Sequence, residues 1–99
     1  MKLQMHSIHF DADSKLLNFI QQKVDKLETY YDRLIDGEVY LKVEKDEARE
    51  NKEIEIKLNS PGNQFFSKER AKSFEAATDA AVEGLRRQVR KHKSKILAK

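Results

Sequence analysis

Ser73-Phe74-Glu75-Ala76-Ala77-Thr78-Asp79-Ala80-Ala81-Val82-Glu83-Gly84-Leu85-Arg86-Arg87-Gln88-Val89-Arg90-Lys91-His92-Lys93-Ser94-Lys95-Ile96-Leu97 is the stretch on which the reading of the chain turns. Phe74, Thr78, Ala81, Val82, Leu85, Val89 and Ile96 recur at the spacing that lines one side of an α-helix. Charge is sorted along the same stretch. Glu75, Asp79 and Glu83 lie in its first half, whereas Arg86, Arg87, Arg90, Lys91, Lys93 and Lys95, with Lys99 beyond, follow with no acid among them. That order suits the helix dipole, whose negative end is the C-terminus. The cations fan around everything outside the apolar stripe, a wider arc than a helix packed on one core requires. Such a run reads as a solvated helix end or as a face for an anionic partner. Seven cations without a local acid favour the partner.

Working back from this helix, Phe65-Phe66-Ser67-Lys68-Glu69 reads as a short strand. It is preceded by Asn59-Ser60-Pro61-Gly62-Asn63, in which proline fixes φ and glycine supplies a positive φ, the chemistry of a type II turn closing a hairpin. Ile54, Ile56 and Leu58 alternate with Glu53, Glu55 and Lys57 in the strand before it. Beyond a polar loop at Asp46–Asn51, Val39, Leu41 and Val43 alternate with Glu38, Tyr40, Lys42 and Glu44. Asp36-Gly37 reads as the break before that strand. A first helix, capped by Asp13 or Ser14 and running to about Tyr31, carries Leu16, Ile20, Val24, Leu27 and Tyr31 on one side. Leu3 and Met5, alternating with Gln4 and His6, open the chain as a strand.

The order is β-α-β-β-β-α, and each element has a single apolar face. The fold class is therefore α+β in two layers, a four-stranded sheet with both helices on one face and a right-handed first crossover. Side by side, the helices let Lys23, Lys26 and Arg33 join the basic face of the last one. Residues 1–99 read as a single domain. Net charge is +3 and the charged fraction 37%, so the basicity is local, not general. The chain has no cysteine, which excludes disulfide frameworks and cysteine zinc sites and suits a reducing cytoplasm. No apolar run has the length of a membrane span.

Other chemistries find little support. His6, His9, Asp11 and Asp13 are metal-ligating types, but strand alternation sends His6 and His9 to opposite faces and Asp13 is better placed as a cap. Glu53 and Glu55 read as exposed strand residues, and no phosphate loop or nucleophile triad is present. No enzyme activity, metal or cofactor is expected. His92 falls at the edge of the apolar stripe as a packing residue. Tyr30, Tyr40 and Phe66 would stack on bases if exposed, but strands favour aromatics, and partial burial on the sheet is the expected reading.

Three blocks carry a resemblance. Lys23-Val24-Asp25-Lys26-Leu27-Glu28-Thr29-Tyr30-Tyr31-Asp32-Arg33, Val39-Tyr40-Leu41-Lys42-Val43-Glu44-Lys45 and Leu85-Arg86-Arg87-Gln88-Val89-Arg90-Lys91-His92-Lys93-Ser94-Lys95 resemble segments of the ribosome hibernation-promoting factors. These belong to the ribosome-associated inhibitor / sigma-54 modulation protein family. The resemblance runs the length of the chain, and it departs at Glu75, where the family places a tyrosine, and at Gly84. It implies the short form of the family and a fold similar to a double-stranded-RNA-binding domain. It also implies a free monomer that binds ribosomal RNA in the decoding region of the small subunit, in the intact ribosome too. There it would block tRNA and mRNA in stationary phase or stress, in the cytoplasm, without membrane or small-molecule substrate. Lys23, Lys26, Arg33, Arg87, Lys91, Lys93 and Lys95 are the matched basic residues, and Arg86 and Arg90 share their face. A general duplex-RNA-binding module and a regulator docking its basic helix on an acidic protein are the alternatives.

Overall fold

The computed structural model describes residues 1–44 and 50–97. The elements are β1 (Lys2–Ile8), α1 (Ser14–Tyr30), β2 (Asp36–Val43), β3 (Lys52–Ser60), β4 (Asn63–Ala71) and α2 (Phe74–Leu97). The sheet order is β1-β2-β3-β4, with β1 and β2 parallel across the α1 crossover and the other pairs antiparallel. The expected β-α-β-β-β-α order holds. Most of the loop expected at Asp46–Asn51 lies outside the described residues, as does Lys99.

Alternation decides which strand faces enter the core. Val39 and Leu41 of β2, Ile54, Ile56 and Leu58 of β3 and Phe65 of β4 are buried on one sheet face. Against them pack Ile20, Val24 and Leu27 of α1 and Phe74, Ala77, Ala81, Leu85 and Val89 of α2, forming one cluster. Both helices thus cover one face and touch each other. Asp13 caps α1 by accepting from Leu16 N–H at 2.8 Å, and Ser73 caps α2 by accepting from Ala76 N–H at 3.1 Å. Gly62 has φ 75°, as the Pro61-Gly62 turn demands.

Several local expectations are corrected. Asp36-Gly37 does not break the chain but begins β2. Gly37 is buried, and a Cβ there would lie 2.4 Å from Lys57 O, so glycine permits a close strand approach. β4 is nine residues long, since ladder pairing with β3 carries it from Asn63 to Ala71 through polar residues. Ile96, placed in the apolar stripe by its spacing, is 46% exposed because α2 has run past the sheet by its last turns.

The sheet face away from the helices is a lattice of paired charges. Glu53, expected to be exposed, is only 7% accessible, since Lys68 and Arg70 of β4 close over it at 3.7 and 3.3 Å. Glu55 pairs with Lys68 and Glu44 with Arg70, both at 3.5 Å. His6 stacks on Tyr40, whose hydroxyl donates to Glu38. That bond, with the Glu38 charge behind it, holds the Tyr40 phenol above its ordinary pKa.

Candidate nucleic-acid interface

Opposite the sheet, the helical layer presents cations that are largely unneutralised among the described residues. Successive positions on α2 turn by 100°, so its basic half divides into two flanks about the buried Leu85 and Val89. Arg86, Arg90 and Lys93 fall on the flank toward α1, and Arg87, Lys91 and Lys95 on the flank toward β4. All six except Lys93 are exposed.

On the α1 side a groove runs between the helices, lined by Lys23, Lys26 and Tyr30 of α1 and by Asp79, Glu83 and Arg86 of α2. Its two ends differ in charge. Near the start of α2, Lys23 pairs with Asp79 at 3.3 Å and its ammonium lies 5.4 Å from the Phe19 ring centre. That cation is spent within the fold. Farther along, exposed Lys26 and Arg86 carry no such ion pair among the described residues, and Arg86 reaches over the Tyr30 ring at 5.8 Å. A second depression beyond it brings exposed Arg33 beside Tyr31, Lys93 and Ile96.

Lys93 is turned inward. Its ammonium donates to Tyr30 O at 2.8 Å and lies 4.3 Å from the Tyr30 ring centre. Tyr30 is the last residue of α1, so its carbonyl is one of the acceptors a helix end leaves without a partner. Lys93 therefore straps α2 to the end of α1. On the opposite flank, Gln88 accepts from Phe66 N–H at 3.1 Å and donates to Phe66 O at 2.5 Å. Beneath the helix, His92 packs edge-on to Tyr31 and Phe65, the packing role its position implied.

Gly84, one of the two departures from the family pattern, has a packing reason. A Cβ at this position would lie 2.9 Å from Ser67 Oγ, so the missing side chain lets α2 approach β4 closely. Of the aromatics weighed for stacking, Tyr30 and Tyr40 are half-buried as expected, whereas Phe66 is 43% exposed, because strand alternation aims it away from the core. Among the described residues no metal-ligating cluster converges, and no helix is long and apolar enough to cross a membrane.

The chain is thus a two-layer α+β domain whose helical face gathers cations mostly unpaired among the described residues, while acids of its sheet face are paired. It belongs to the family described as Sigma 54 modulation protein / S30EA ribosomal protein, whose family model matches residues 3–97. This is a family of ribosome-associated factors, not of enzymes. The ribosome hibernation promoting factor of Escherichia coli K12 is 30% identical over 96 residues, covering 97% of each chain. That of Pseudomonas putida is 27% identical over 95 residues, 96% of this chain and 89% of the relative. A solved ribosomal subunit interface protein from Coxiella burnetii superposes with TM-score 0.84 at 17% identity, over 95% of this chain and 99% of its own.

Proposed function

We propose that this protein is a ribosome hibernation factor. It binds ribosomal RNA in the decoding region of the small subunit and sterically excludes tRNA and mRNA, and so silences ribosomes in the cytoplasm in stationary phase or stress. The observation that supports this most directly is the pair of basic flanks on α2, held on a fixed helix and joined across the groove by α1. Lys26, Arg33, Arg86, Arg87, Arg90, Lys91 and Lys95 offer exposed cations for phosphates. Lys23 and Lys93 belong to the same surface, but each has an internal partner. A rigid basic rod reads structured RNA by shape and backbone, which requires no catalytic group. The free protein acts as a monomer, with residues 1–99 forming one ribosome-binding domain.

Co-sedimentation with purified ribosomes at low and moderate salt tests this reading. The protein is expected to travel with the small subunit and the intact ribosome, to resist excess generic RNA duplex and to be displaced by tRNA. Replacing Arg87, Lys91 and Lys95 together by alanine should weaken binding and flatten its salt dependence while leaving the fold intact. Equal competition by any duplex would reduce the protein to a general duplex binder. Failure to co-sediment at low salt would remove the reading.

A further inference from the structure

We infer that the β4 edge forms a second nucleic-acid site, one that takes an unpaired strand with a base laid on the Phe66 ring. Phe66 lies on the edge strand, with its ring on the sheet face away from the helices. On that face Lys57 stands directly across β3 and Lys68 two residues along β4. Around the edge, a depression joins Phe66, Lys68 and one acid, Glu69, to Gly84, Arg87, Gln88 and Lys91 of α2. Lys68 is held by Glu53 and Glu55, which leaves Lys57, Arg87 and Lys91 around a large exposed aromatic, the combination a nucleotide strand engages, base on ring and phosphates on the charges.

Three further observations select this occupant. Tyr30 has Arg86 and Lys93 over its ring, whereas among the described residues no cation and no second ring stacks on Phe66. An acidic peptide adding a strand to β4 would need the Phe66 N–H and C=O, and the Gln88 carboxamide already takes both. A duplex keeps its base faces stacked internally, so an exposed ring selects an unpaired segment. The cations are also suitably spaced. Arg87, Lys91 and Lys95 recur every four residues, about 6 Å along the helix axis, near the separation of successive phosphates in an extended strand. Gly84 leaves the wall of the depression open where a side chain would narrow it. This site shares Arg87, Lys91 and Lys95 with the surface proposed for the ribosome; what it adds is Phe66 and a dependence on bases.

Fluorescence anisotropy with a labelled unpaired RNA of about ten nucleotides, and with an abasic ribose-phosphate strand of the same length, tests the site. The base-bearing strand should bind about tenfold tighter than the abasic one, the scale of one base stacked on an aromatic ring. Phe66→Leu should abolish that difference and Phe66→Trp should keep it. Replacing Arg87 and Lys91 by glutamine should lower the salt slope for both strands by about 0.7 per lost phosphate contact. Equal binding of both strands by the unmodified protein, or an undiminished difference in Phe66→Leu, would overturn the proposal. So would displacement of the strand by polyglutamate with no dependence on bases. If Phe66→Leu failed to fold, the comparison of strands on the unmodified protein and on Phe66→Trp would still decide. Loss of ribosome co-sedimentation with base-dependent binding intact would count against the hibernation reading alone.

Discussion

Lys93→Met separates a strap from a phosphate ligand. In the folded chain the Lys93 ammonium makes a charged hydrogen bond to Tyr30 O and sits over the Tyr30 ring. A hydrogen bond to a charged group contributes about 1.5–3 kcal/mol, and a partly exposed cation–π contact about 0.5–1 kcal/mol. Methionine keeps the aliphatic stem and its packing but loses both. The side chain is half-exposed, so solvent offsets part of this, and the expected loss of stability is about 1–2 kcal/mol. For a domain of this size that is a fall in Tm of roughly 5–10 °C. Urea unfolding followed by circular dichroism should show a lower midpoint at unchanged slope. Lys91→Met, two residues away and exposed, should change stability by less than about 0.5 kcal/mol. Ribosome binding should reverse the ranking: removing Lys91 reduces the salt slope by the share of one contact, about 0.9, and removing Lys93 reduces it less. A Lys93→Met protein that unfolds at the unmodified midpoint, yet loses as much salt slope as Lys91→Met, would refute the strap.

Two further predictions concern the packing of α2 and the open sheet face. Gly84→Ala gains about 1 kcal/mol of helix propensity but places Cβ 2.9 Å from Ser67 Oγ. Its benefit should emerge in full only in a Ser67→Ala background, where the nearest remaining atom is the Ser67 Cβ at 3.8 Å. A double-mutant cycle in urea reads the coupling, and strict additivity would count against the close contact. Tyr40, whose phenol pKa is raised in the folded state by its bond to Glu38, favours folding below the unfolded tyrosine pKa of about 10. That contribution is lost as pH climbs through the higher folded value. The phenolate absorbance titration of the unmodified protein minus that of Tyr40→Phe should therefore centre above the ordinary tyrosine range, and a curve centred within it would disprove the Glu38 contact.

The elements legible in the sequence were those whose periodicity is local. Ile20, Val24 and Leu27, or Ile54, Ile56 and Leu58, announce their geometry within a few residues, and Pro61-Gly62 announces the hairpin. What escaped depends on partners distant in the chain. Gly37 resembles a breaker until the Lys57 carbonyl is set against it. Gly84 resembles a weak point until Ser67 is placed beneath it. The far reaches of β4 are polar and become strand because β3 offers them a ladder. Within the candidate site, the clustering of cations on α2 was readable from spacing alone. That Lys23 and Lys93 are tied inward was not, since a lysine's long stem lets its charge reach Asp79 or the Tyr30 carbonyl. Alternation already aims Phe66 opposite Phe65, onto the sheet face that a two-layer fold leaves open, but how far its ring is exposed depends on neighbours across the ladder.

The fastening of the basic half of α2 bears on the thermodynamics of recognition. Gln88 grips the edge strand, His92 wedges between two rings, and Lys93 hooks the end of α1. A disordered basic tail of equal charge would pay to be ordered on each encounter, at about 1–2 kcal/mol per residue for the backbone alone. Here that loss is already incurred during folding, so the attraction of each free cation is not spent on straightening the chain. The same rigidity makes the surface a poor match for any phosphate arrangement that departs from its own. Selectivity is thereby obtained from stiffness, without a single base edge having to be read.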